Sequence, residues 1–255
     1  MLVYNQIIPK NLGEFKMTTT TSKRDEGSVT NGFLANPEIA RRLALGAVIS
    51  PILFTLAWII LGLMRPAIKN EWGVSGGVTG MITQPFSGLG LGINGSLFNA
   101  AFLLNGILIM AGVFGIFQII EAGGRPAAHK TSAVLLALSG LGSVMCAVFT
   151  LESFFLHMIG FILGTGVPVL GFLVTGFFLR GIPHWRKFGS WLLAASPLTL
   201  ALLVLFFLNF NYDTMAAGLG IAGLTERILV IEVQAWYMTM GWLAFRHSQR
   251  LALPL

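Results

Sequence analysis

Charge is what this chain has least of: 16 Lys and Arg with 10 Asp and Glu amount to 10% of its 255 residues, where a soluble domain carries roughly 25%. With 55% hydrophobic residues and a mean hydropathy of +0.79, that scarcity excludes a water-soluble fold and predicts an integral membrane protein. Cysteine is almost absent. The single Cys146 excludes an intrachain disulfide and any cysteine-based metal cluster. Histidine is also sparse, at four residues, so a His-rich zinc site is not expected. The net charge of +6 does not point to nucleic acid, because the basic residues flank apolar runs instead of forming a patch or stripe.

What is present is a series of apolar runs. Residues 1–35 are polar, rich in Thr, Ser and Lys, and read as a disordered cytoplasmic tail without the apolar core of a cleavable signal peptide. Met17 is as good a start as Met1. Asn36-Pro37-Glu38 is a helix-start signal. Six spans are then predicted, over about 43–64, 97–120, 133–150, 157–179, 188–209 and 228–245, each long enough for roughly 30 Å of hydrocarbon at about 1.5 Å per residue. The fold class is therefore an all-α bundle of six transmembrane helices within 36–255. The Gly-rich stretch 66–96 is too long for an ordinary connection, and Trp72, Met81, Ile82 and Phe86 suggest that it packs on or dips into the bundle. Gly160-Phe-Ile-Leu-Gly164 has the spacing that lets another helix approach closely.

The distribution of Lys and Arg predicts sidedness. With a cytoplasmic N-terminus, Lys23, Arg24, Arg41, Arg42, Arg125, Lys130, Arg180, Arg186, Lys187, Arg246 and Arg250 fall inside, while Arg65, Lys69 and Arg227 fall outside. This favours cytoplasmic N- and C-termini in the cell membrane.

On that topology the ionisable and amide residues at the span starts gather on the outer side: Asn94 and Asn99 at the second span, Glu152 and His157 at the fourth, and Glu226, Arg227 and Glu232 at the sixth. A carboxylate inside a span is costly and marks a functional site by default. His157, Glu226, Arg227, Glu232, Asn99 and Glu152 are accordingly the candidate ligand-binding residues, with Glu232 placed to meet His157 if the fourth and sixth spans are neighbours. Structural roles compete with this reading. Glu226 could simply favour a helix N-terminus, Arg227 could be an interfacial anchor, and His157 could cap a carbonyl. His129, His184 and His247 read as solvated interface positions. Gly90-Leu-Gly92-Ile-Asn-Gly95 matches a dinucleotide fingerprint in letters only, since no strand precedes it. Ser153 and His157 are four residues apart, but no third member or oxyanion donor accompanies them.

The order of several motifs also resembles a known family. These are Ser87-Gly-Leu-Gly in the long outer segment, Leu97-Phe-Asn-Ala-Ala-Phe-Leu-Leu-Asn-Gly106, His157, Phe178-Leu-Arg-Gly, and Gly223-Leu-Thr-Glu-Arg-Ile228 before Ala235-Trp-Tyr. Over about residues 43–247 the chain is similar to the bacterial and archaeal membrane family termed domain of unknown function 998. The proline- and tyrosine-containing outer segment of that family is poorly matched by 67–83. The resemblance implies a multi-pass membrane protein and assigns no activity.

The leading expectation is a protein that binds a lipid or small amphiphile in an outward-facing polar pocket, with membrane lipids as partners and no cofactor, catalytic residue or metal nominated. Arg227 would pair with the headgroup and the carboxylates would receive a cationic or hydroxyl group. The alternatives are a lipid-modifying enzyme using His157 as base oriented by Glu232, and a proton-coupled transporter titrating Glu232.

Overall fold

The computed structural model describes residues 36–66, 68–70, 72–92 and 94–252; the expected tail over 1–35 and the choice of start lie outside them. Among the described residues six helical spans are long and apolar enough to cross a membrane: Pro37–Met64, Gly95–Ile119, Pro126–Val148, Leu151–Arg180, Pro183–Asn209 and Ala222–Arg250. Consecutive spans pack against one another and the sixth returns to the first and second, closing a ring. The outside of the ring is apolar. Ile52, Leu56, Ile60 and Leu63 stand on the outer surface of the first span at 47–54% exposure, a surface suited to acyl chains and not to water.

Local signals in the sequence account for the ends. Asn36 caps the first helix, accepting from the Glu38 N–H at 2.9 Å, with Pro37 in the first turn. Glu38 pairs with Arg41 and Arg42 one turn on. His129, expected to be solvated, is half-buried instead. Its Nε2 lies 2.9 Å from the carbonyl oxygens of both Phe117 and Ile120, so it closes the end of the second span.

Small residues set how closely the spans approach. A Cβ on Gly142 of the third span would stand 2.3 Å from the Gly164 nitrogen and 2.4 Å from the Gly160 oxygen. The Gly160/Gly164 spacing is thus a packing face for the third span. The fourth span carries a π-helical stretch at Ile162–Gly166 immediately before Pro168. Proline has no N–H for the carbonyl four residues back, and the freed Gly164 oxygen accepts from the Ser139 hydroxyl at 2.7 Å instead.

Two ends of the bundle can be told apart. One, the basic end, holds the first residues of the first, third and fifth spans. The other is covered by the segment between the first two spans and is here termed the capped end. That segment has a short antiparallel ribbon, β1 (Ile68–Asn70) and β2 (Gly73–Ser75), a helix α1 (Gly77–Thr83), and a 3-10 turn at Phe86–Gly90.

Candidate functional site

The 3-10 turn is buried throughout, and irregular backbone in a membrane protein must find hydrogen-bond partners within the protein. Here they come from polar side chains. Arg227 Nη1 donates to the Gln84 carbonyl at 3.0 Å and to Gly223 at 2.8 Å. Arg65 Nη1 donates to Gly88 and Leu89 at 3.3 and 3.2 Å, and its Nη2 donates to Leu91. Asn99 Nδ2 donates to Gly90 at 3.1 Å. In the opposite sense the Phe86 N–H donates to Glu226 Oε2 at 2.6 Å, and Ser87 adds a side-chain hydrogen bond to the same carboxyl. Burial lowers the Arg65 guanidinium from its ordinary value, but an arginine stays charged. The cap is therefore fastened to three spans, through Arg65 after the first, Asn99 on the second, and Glu226 and Arg227 on the sixth.

Glycines make the seating possible where the backbones meet. A Cβ on Gly223 would fall 2.2 Å from the Gln84 oxygen, and one on Gly95 would fall 2.4 Å from the Gly90 oxygen. Phe86 then enters the bundle and packs on Phe54, Phe98 and Phe102 with ring centroids 5.6–6.1 Å apart. The Arg227 guanidinium lies over Trp58 at 5.3 Å and over Phe86 at 5.8 Å, a favourable arrangement for a desolvated cation.

Glu226 and Arg227 do not stand at an interface ahead of the helix. The sixth helix begins at Ala222, which puts both in its second turn, 1% and 5% exposed. Arg227 is engaged by backbone carbonyls, so the interfacial-anchor role does not hold. Glu226 also faces inward, lining a core cavity directly beneath the cap. The cavity leaves about 50 Å³ open to the centre of a water molecule. A single water needs about 10–15 Å³ on that measure. Its walls are largely apolar, with Phe54, Phe102 and Phe161, but Asn105, Ser143, Gln234 and Tyr237 supply polar atoms deeper in.

Those deeper groups form a network. Ser50 donates to Asn105 Oδ1 at 2.7 Å, Gln234 Nε2 donates to the same oxygen at 3.3 Å, and Asn105 Nδ2 donates to the Ser143 hydroxyl at 2.9 Å. Tyr237 donates to the Leu136 carbonyl at 3.0 Å. Gln234 Oε1 is buried without a hydrogen-bond partner among the described residues. Sequence reasoning passed over Ser50, Asn105, Ser143 and Gln234 because it weighed only the polar residues at the span starts. The available signal was two amide side chains in the middle of apolar runs, which seek partners in a bundle interior.

The other candidates go elsewhere. His157 is 3% exposed, with Nδ1 2.7 Å from the Phe149 carbonyl, so it joins the start of the fourth span to the end of the third. Its Nε2 is buried and unpartnered among the described residues. Glu232 does not meet His157 or Arg227. It accepts from Thr199 Oγ1 at 2.9 and 3.1 Å and from the Trp236 indole at 2.6 Å, because it lies five residues beyond Arg227, on a face turned to the fifth span. Glu152 is exposed and bonds within its own turn through Thr150. Thus Glu226, Arg227 and Asn99 converge on the cap, and His157, Glu232 and Glu152 are separate from them. No group of three or more metal-ligating side chains occurs among the described residues.

Comparison with known proteins adds one match. No curated protein and no solved structure is similar enough to register as a relative. The family model described as protein of unknown function (DUF998) matches residues 48–243, from the first span through the cap and most of the sixth, in agreement with the resemblance carried by the sequence motifs. The chain is a multi-pass membrane protein that belongs to this DUF998 family.

Proposed function

We propose that the protein binds a small amphiphile in the core cavity, with the ligand's hydroxyl or ammonium group hydrogen-bonded to Glu226 and Gln234 and its apolar part against Phe54, Phe102 and Phe161. The observation that carries this reading is a buried carboxyl and an unpartnered buried amide oxygen lining the same cavity. Both are acceptors, so the cavity favours a ligand that brings donors. An unsatisfied buried acceptor costs about 1–3 kcal/mol, which a donor in the cavity would recover. The free volume suits a compact polar group, and a longer chain requires the cap or a neighbouring helix to shift. Arg227 is not among the residues lining the cavity, and its Nη1 is given to Gln84 and Gly223, so the proposal does not place the ligand on it.

The enzymatic alternative loses its basis, because the base and its orienting acid do not meet. A proton route is also poorly supported: the polar strip descending from Glu226 ends near Tyr237, and Met240 and Ala244 below it are apolar and fully buried.

Mass spectrometry of extracts from protein purified in mild detergent tests the reading. An amine- or hydroxyl-bearing amphiphile should accompany the wild type and fall about tenfold in Gln234→Leu, a change on the cavity wall that leaves every cap contact in place. Equal retention by the two proteins, or no retained small molecule in either, would sink it.

A further inference from the structure

At the basic end, far from the cap, the fifth and sixth spans part to form a second concavity of about 450 Å³. Its composition is graded along the helix axes. His184, Lys187, Arg246, His247 and Arg250 line one part, and Phe188, Trp191, Trp236 and Leu243 line the other. From Trp236 to Arg250 the sixth helix rises about 21 Å at 1.5 Å per residue. The cationic part therefore lies towards the helix ends and the aromatic part towards the middle of the span. The floor is fixed: the Trp236 indole N–H donates to Glu232, which Thr199 holds from the fifth span. The two histidines stack at 4.1 Å.

The cations have little internal compensation beyond the Trp242 ring, over which Arg246 lies at 5.7 Å. Among the described residues, ion pairs form only at Glu38, so Lys187, Arg246 and Arg250 have no carboxylate partner. Glu121 is the one acid in electrostatic reach of His247, where His184 and Arg250 oppose it. Glu232 is committed to Thr199 and Trp236. Scattered basic residues would satisfy a sidedness rule without a groove. Here they ring a groove whose other half is aromatic.

We propose that this groove is a binding site for the phosphate-bearing headgroup of an anionic phospholipid, with the upper acyl segment on Trp236, Trp191 and Leu243. The shared chemistry is a phosphate ester met by Lys187, Arg246 and Arg250. The aromatic half at span depth favours a membrane-embedded source over a soluble one. Basic pockets between transmembrane helices are suited to such headgroups.

The test uses the full chain in nanodiscs, measuring by native mass spectrometry how many lipids it retains. Phosphatidylglycerol should be retained about tenfold over phosphatidylcholine. Lys187→Gln with Arg246→Gln should remove most of that preference, since two of the three cations that meet the phosphate are gone. Lys130→Gln with Arg186→Gln, which removes the same charge outside the groove, should leave it intact. Inorganic phosphate at millimolar concentration should not displace the lipid. Equal retention of the two lipids, an equal loss in the control pair, or displacement by inorganic phosphate would overturn the proposal. If the groove variant fails to fold, Trp236→Leu serves in its place and should weaken retention of phosphatidylglycerol severalfold; unchanged retention would overturn the proposal equally.

Discussion

Two adjacent charged residues on one helix do different work, because successive positions on a helix point about 100° apart. Glu226 takes the Phe86 N–H and faces the cavity, while Arg227 takes the Gln84 carbonyl. Hydrogen bonds to charged groups contribute about 1.5–3 kcal/mol each. Removing Glu226 as acceptor should therefore open the cap locally before it unfolds the bundle. In Glu226→Leu, hydrogen exchange at the Phe86 amide should accelerate roughly tenfold to a hundredfold, while amides in the middle of the second span keep their protection. Glu226→Gln retains an acceptor oxygen and should fall between the two. Uniform acceleration throughout the bundle would show that the pair supports global stability instead of the cap. Arg227→Lys makes a related test. A lysine ammonium lacks the planar face that the guanidinium lays over Trp58 and Phe86, so protection of the cap should drop even though the charge is conserved.

At the scale of the element, the fourth span depends on a borrowed hydrogen bond. Pro168 leaves the Gly164 carbonyl without its helical donor, and Ser139 of the third span supplies one at 2.7 Å. Ser139→Ala should lower stability by about 1–3 kcal/mol through the orphaned carbonyl. Pro168→Ala restores an N–H that can serve that carbonyl, so the double variant should lose less than Ser139→Ala alone. Denaturant unfolding of the four proteins in detergent gives the coupling energy, and strict additivity would refute the pairing. The six spans, the helix start at Asn36-Pro37 and the Gly160/Gly164 packing face could be read from the sequence because hydropathy, capping and small-residue spacing act locally. The site was legible only in part. Glu226, Arg227 and Asn99 stood out by residue type, but their shared target is irregular backbone 140 positions away from Glu226, which no periodicity reports. The proposed meeting of Glu232 and His157 failed for a rotational reason: it assumed that residues at similar depth on neighbouring spans also face each other. Moving the helix start from Ile228 to Ala222 turned two supposed rim charges into buried ones.

For the molecule as a whole, the cap sharpens the sidedness argument. Of the three basic residues at the capped end, Arg65 and Arg227 are occupied by backbone carbonyls, which leaves Lys69. At the basic end, Arg41 and Arg42 pair with Glu38 and Arg125 donates to the Phe178 carbonyl. Lys130, Arg180, Arg186, Lys187, Arg246 and Arg250 remain. Cations fixed by internal bonds serve the fold wherever they lie, so the six-to-one imbalance among the others is the better measure of orientation. It predicts a cytoplasmic basic end, with the cap outside. Cysteine labelling can check this, because the one native thiol, Cys146, is buried and Cys146→Ala removes it. In that background Glu152→Cys should react with a membrane-impermeant maleimide on sealed cells, and Lys130→Cys should react only after permeabilisation. The reverse pattern would put the cap in the cytoplasm, and a ligand would then reach the Glu226 cavity from inside the cell.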